Sequence, residues 1–182
     1  MPNITPEESF LIQAYALAEC YVHLGELEAR KDPLIFNNID RIYGPTGKMM
    51  AAQDKLVFQS QGALISVFYT LLVLPYEWKK NEIGNFNKLD LSGPENVASA
   101  KATVKTDTYP NTDQALRHFR NALSHGRIDW SANGELVMKD RDASYGHSYT
   151  ANYLMMGLGE LAQNLNMAIQ NYIQTVIMGR QA

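Results

Sequence analysis

The sequence predicts an all-α fold, a helical bundle of about four to five main helices with a small β-hairpin between a short cationic helix and a long C-terminal one. Three observations lead there. The chain opens on the capping-box start Thr5-Pro6-Glu7-Glu8, carries the largely apolar run ALISVFYTLLVL at Ala63–Leu74, and ends on an apolar stripe from Leu154 to Val176. Its 182 residues are the size of one domain, expected to span 1–182, and 46% hydrophobic with 19% charged residues describes a globular chain.

Thr5 suits an N-cap, Pro6 the first helical position, and Glu8 the reciprocal cap, so a first helix is expected from about Pro6 to Arg30. Phe10, Ala14, Leu17, Tyr21 and Leu24 recur at four and three as its inward stripe. Residues 32–47, with Pro33, Gly44 and Pro45, read as a connection. A second long helix is expected over Lys48–Leu74, lined by Leu56, Ala63, Val67, Leu71 and Leu74 and stopped by Pro75. Gly84–Pro94 reads as a loop and Glu95–Lys105 as a short helix. Tyr109-Pro110-Asn111 then leads to Thr112, an N-cap for a helix over 113–125. The runs RIDW and ELVMKD flank Asn133-Gly134, the sequence of a small, peripheral hairpin. From about Ser148 to Gly179, Leu154, Leu158, Leu161, Leu165 and Tyr172 mark a long amphipathic helix.

A net charge of −3 and a pI near 5.8 argue against nucleic-acid binding through overall charge, so any anion site is local. Cys20 is the single cysteine, which excludes an intramolecular disulfide and a cysteine metal site and suits a reducing cytoplasm. The N-terminus lacks a signal-peptide pattern and the apolar run is too short for a usual span, so no membrane association is expected.

Residues 116–128, LRHFRNALSHGRI, concentrate three arginines and two histidines with no acid between Asp113 and Asp129. At about 100° per residue, Ala115, Leu116, Phe119, Ala122 and Leu123 fall on one face, and Arg117, His118, Arg120, Asn121, Ser124 and His125 on the other. Asn121 and His125, four apart, face each other; Arg120 and His125 diverge by about 140° and would flank a target. Two explanations stand side by side. Cations in a last turn followed by Gly126 are an ordinary helix ending. A basic face without acids, where the helix dipole would itself repel phosphate, is also economical as an anion site.

Arg120-Asn121-Ala122-Leu123-Ser124-His125 resembles the Arg-x(4-6)-His motif of the HEPN superfamily, with a polar residue directly after the arginine. The Ser-His-Gly ending, the Asn-Gly hairpin and the long last helix follow in an order similar to a stand-alone prokaryotic HEPN subfamily, over Thr112–Met178. The resemblance implies an α-helical, frequently dimeric domain and a metal-independent endoribonuclease, in a toxin-antitoxin or antiviral setting. It assigns His125 as acid/base group, Arg120 as phosphate clamp and Asn121 as the residue orienting them. Arg117, His118, Ser124 and Arg127 are the candidates for the substrate side, His118 being either a proton relay or base contact or, the commoner fate, a partly exposed histidine with no catalytic task. RNA supplies its own nucleophile, the 2′-OH, so cleavage would leave a 2′,3′-cyclic phosphate and call for no cofactor. A homodimer would bring two motif helices to one scissile bond, and an antitoxin is a further expected partner. The other outcome the resemblance allows is a non-catalytic nucleotide-binding or dimeric assembly module.

Other candidates are weaker. His147 is expected to start the last helix as a loop or capping residue. Glu19 and His23 share a helix face without a Glu-x-x-His partner for a metal pair, and Lys48 after Gly44-Pro45-Thr46-Gly47 lacks the spacing of a phosphate loop. Tyr109, Trp130, Tyr145, Tyr149 and Tyr153 can stack unpaired bases or pack into the core, the commoner fate.

Overall fold

The computed structural model describes residues 4–35, 38, 61–108, 114–142 and 146–181. The elements are α1 (Pro6–Ala29), α2 (Gln61–Phe68), α3 (Leu74–Lys80), α4 (Ser92–Lys101), β1 (Thr103–Asp107), α5 (Ala115–Ser124), β2 (Ile128–Trp130), β3 (Leu136–Asp142), β4 (His147–Tyr153) and α6 (Met155–Tyr172). A π-helical segment, Tyr69–Val73, joins α2 directly to α3, and another, Ile173–Ile177, extends α6. The chain is therefore mostly helical but not all-α. Its strands form a four-stranded antiparallel sheet in the order β1-β4-β3-β2.

The capping box at the start of α1 is formed: Thr5 Oγ1 accepts from Glu8 N–H at 3.2 Å, and Glu8 Oε2 accepts from Thr5 N–H at 3.1 Å. The buried face of the helix is displaced by about one residue from the expected stripe. Leu11, Ala14, Ala18 and Gly25 are buried, whereas Phe10 and Leu17 are about half exposed. The cause is Glu8, which sits on the inner face, fully buried, with Tyr172 Oη and the Arg180 guanidinium donating to its carboxylate. Burial pushes the Glu8 carboxyl up, but the Arg180 and Thr5 hydrogen bonds outweigh it and hold it below its ordinary value.

Pro75 does not stop the second helix as expected. It follows the π-helical segment, whose i→i+5 pattern absorbs the missing N–H, and helix resumes through Lys80. Residues 48–60 of that expected helix, and residues 109–113 with the Thr112 cap, lie outside the described residues. The loop expected before Pro94 carries a 3₁₀ turn at Phe86–Lys88, and α4 begins at Ser92. The chain leaves helix at Ala102, so the expected helix through Lys105 is in fact strand β1, rich in Thr and Val.

The larger correction concerns residues 147–153, expected to begin the last helix. HSYTANY forms β4, pairing Leu136↔Tyr153, Met138↔Ala151 and Asp140↔Tyr149 with β3. The hairpin across Asn133-Gly134 is present, with Trp130 opposite Leu136 and Gly134 at φ +76, but it is not peripheral. Leu136, Met138, Tyr149, Ala151 and Tyr153 are buried in the same core as Leu158, Leu161 and Leu165 of α6. Phe119 of α5 lies in the middle, its ring 4.9 Å from Phe68 and 5.2 Å from Tyr153. The short cationic helix is thus clamped between the α2–α3 rod and the sheet. No helix among the described residues is long and apolar enough to cross a membrane.

Candidate functional site

Helix α5 ends as its sequence prescribes. His125 is the C-cap, Gly126 takes φ +62, and the Gly126 and Arg127 N–H groups donate to the Leu123 and Ala122 carbonyls at 3.1 and 2.8 Å. These two bonds make a Schellman ending, satisfying carbonyls that would otherwise face outward alone. The ending leaves His125 exposed beyond the last turn, with Ser124 and Arg127 exposed beside it. Arg127 is tied to the hairpin, Nη1 donating to the Arg141 carbonyl at 3.1 Å.

The expected outward arc of cations is split by the fold. Arg120 is only 8% exposed, its Nη1 2.6 Å from Glu77 Oε1 and its Cζ 4.7 Å from the centre of the Tyr76 ring. Its Nε is buried and has no hydrogen-bond partner among the described residues. His118, expected on the substrate side, is fully buried: Nδ1 is 2.8 Å from Asp140 Oδ2 and the ring stacks on Tyr149 at 4.2 Å. No acid within α5 pairs with these side chains; acids from α3 and β3 do.

Asp140 is the junction. The same Oδ2 accepts from Asn121 Nδ2 at 2.9 Å, so one carboxylate oxygen holds His118 and Asn121 together. Burial pushes the Asp140 carboxyl up, yet the His118 and Asn121 hydrogen bonds and the nearby imidazole charge outweigh it, holding the carboxyl below its usual range. A carboxylate only accepts, so the carboxamide must turn its NH₂ inward, which fixes its orientation and leaves Oδ1 as its acceptor on the other side.

Arg117, Asn121 and His125 recur at spacings of four and form one stripe, half-buried at the first two and exposed at the last. The structure therefore brings Asn121 and His125 to one side of α5 and sends Arg120 to another, against α3. Of the aromatic candidates, Tyr149 and Tyr153 are buried in the core and Trp130 is half-buried; Tyr109 and Tyr145 lie outside the described residues. His147 lies in β4 rather than at a helix start, with Nδ1 2.7 Å from the Thr108 carbonyl.

Asp140, Glu77 and Tyr76 are not legible as site residues from the motif alone. For Asp140 a signal exists: in Leu136-Val137-Met138-Lys139-Asp140 the alternation puts an acid where the next inward apolar residue belongs. Glu77 and Tyr76 carry no comparable mark.

A family model described as HEPN pEK499 p136 matches residues 10–175. No curated protein and no solved structure matches the chain.

Proposed function

Because the chain belongs to the HEPN pEK499 p136 family, we propose that it is a cytoplasmic, metal-independent endoribonuclease that works as a homodimer. The observation that carries this reading is the stripe itself: an exposed His125 one turn beyond an Asn121 whose amide is locked by Asp140, with Arg117 one turn before it. In the proposed step the 2′-OH attacks the adjacent phosphorus, its proton passing to one His125. The 5′-oxygen leaves with a proton from the His125 of the second protomer. The products are a 2′,3′-cyclic phosphate and a 5′-hydroxyl, and the proton count closes without a cofactor. Asn121 Oδ1 is suited to accept from an imidazolium N–H or from a ribose hydroxyl.

Arg120 acts from behind the stripe. A phosphate gains its charge only by displacing the Glu77 carboxylate, which is about one-third exposed and can move to solvent. That same pairing favours a second reading. An arginine buried against Glu77 and Tyr76, with the His118–Asp140–Asn121 cluster satisfied internally, also suits a non-catalytic nucleotide-binding or dimeric assembly module.

The test is cleavage of labelled single-stranded and structured RNAs in excess EDTA by wild type, Arg120→Ala and His125→Ala, with folding and dimer mass measured on each. Cyclic-phosphate ends from wild type, absent with His125→Ala, support the enzyme. A wild type inert on a broad RNA panel, with variants that lose their dimer, moves the function to assembly. The toxin setting adds a cellular arm: induced wild type halts growth and His125→Ala does not, and a neighbouring antitoxin relieves the arrest.

A further inference from the structure

A groove of about 840 Å³ runs between α3 and α5 and across the start of α4. Its walls carry three cations, Lys79, Lys80 and Arg117, and two acids, Asp90 and Glu95. The acids are engaged by backbone donors. Glu95 Oε2 accepts from Leu116 N–H at 3.1 Å, in the first turn of α5, and Asp90 Oδ1 accepts from Ser92 N–H at 2.9 Å. Lys79 is committed as well, its Nζ donating to the Leu89 carbonyl. Lys80 and Arg117 differ: neither makes a hydrogen bond or ion pair with a described residue, and both line the groove. Two cations without a partner among the described residues, both lining one cavity, make a local anion site on a chain whose net charge is negative.

The groove is continuous with the motif at two points. Asn121 lines it while held by Asp140, and Tyr76 lines it while its ring lies against Arg120. Along α5 the stripe leads from Arg117 at the groove wall through Asn121 to the exposed His125, eight residues and about 12 Å away. That length exceeds a single phosphate group, so a strand can touch both ends where inorganic phosphate cannot.

We infer that this groove is a phosphodiester track, in which Lys80 and Arg117 hold backbone phosphates of the RNA strand whose scissile bond lies at His125. The inference rests on the RNA-directed reading of that histidine and names where the rest of the substrate runs. Contacts of this kind position the strand without reading its bases. The track therefore tolerates any sequence.

The experiment uses the full chain and a fluorescein-labelled 2′-O-methyl oligoribonucleotide, which lacks the attacking hydroxyl and so reports binding alone. Affinity is measured from about 50 to 200 mM salt for wild type, Lys80→Gln and the double variant Lys80→Gln/Arg117→Gln. The expected result is several-fold weaker binding for the exposed Lys80 variant and a larger loss for the double variant. The salt slope should fall by about 0.7 for each phosphate contact removed. Unchanged affinity and slope in the Lys80 and double variants would overturn the track, whatever His125 does. So would inorganic phosphate or adenosine monophosphate competing as well as the strand does, since the ligand would then be a mononucleotide. A wild type that binds the strand through these residues but cleaves no RNA removes the enzyme and leaves the track standing.

Discussion

The Arg120 guanidinium and the Glu77 carboxylate meet at 2.6 Å, and Tyr76, the neighbour of Glu77 on α3, covers the face of the same guanidinium at 4.7 Å. One turn of α3 thus supplies both the counter-charge and the stacking surface for the motif arginine. The pair is asymmetric, with about a tenth of the Arg120 side chain exposed against about a third of Glu77.

Glu77→Gln should therefore cost about 1–3 kcal/mol, because it strands a buried guanidinium, the Glu77 exposure keeping the loss below that of a fully buried pair. Adding Arg120→Met should recover part of the loss, since an apolar stem of similar length fills the site without a charge. Urea titration of the two single variants and the double measures the coupling. Additive single costs, with no recovery in the double variant, would show that the ion pair contributes nothing. Under the ribonuclease reading, Glu77→Gln also frees Arg120 for phosphate, and RNA affinity should rise.

Asp140 makes stability depend on acid. Its carboxyl is held below its ordinary value in the folded chain by His118 and Asn121. Its contribution is therefore complete above the unfolded value of about 3.9 and is lost as pH falls through the lower folded value. Asp140→Asn should lower stability near pH 7 by about 1–3 kcal/mol and flatten the acid limb below about pH 4. Denaturant midpoints across that range give the comparison, and parallel curves for wild type and variant would remove Asp140 as their source.

The sheet is load-sharing core rather than trim, which a pair of neighbours can test. Met138 is fully buried opposite Ala151, while Lys139 next to it is exposed. Met138→Ala should cost about 2–5 kcal/mol and Lys139→Ala stay within about 0.5 kcal/mol. Equal, small losses in thermal unfolding would return the hairpin to the periphery.

These contrasts mark how far the sequence carries. The capping box at Thr5 and Glu8, the extent of α1, the Gly126 ending of α5 and the Leu158–Leu161–Leu165 stripe of α6 are legible because each is fixed by neighbours three or four residues away. Strands β1 and β4 are not. Thr103–Asp107 and His147–Tyr153 adjoin helices in sequence, and what makes them strands is pairing with each other across more than forty residues. Periodicity misplaces the inward stripe of α1 because a buried glutamate shares its face, a choice settled only by Arg180 and Tyr172 at the far end of the chain. At the site, the motif names Arg120, Asn121 and His125, but helical angle alone puts Arg120 and His118 on a solvated arc. Glu77 and Asp140 draw them inward, and neither acid lies on the motif helix.

Asn121→Asp is the sharpest probe of that inner shell, since it changes one atom type and almost no volume. Asn121 Nδ2 donates to Asp140 Oδ2 at 2.9 Å; an aspartate there sets two carboxylate oxygens against each other, with one imidazole on the same Asp140 oxygen. Like charges at that range cannot both be held cheaply, so one carboxyl is pushed up and takes a proton near neutrality. The variant should lose about 2–3 kcal/mol at pH 8, by the loss of a hydrogen bond and the added repulsion, and regain most of it near pH 5. Asn121→Ala, which only deletes the bond, should lose about 1–1.5 kcal/mol at both values. The sign of the pH dependence is the discriminating readout: the stability of Asn121→Asp rises on mild acidification where that of Asn121→Ala does not. If the two variants respond alike to pH, the Asn121 amide does not face Asp140, and its carbonyl is no longer fixed on the side of His125.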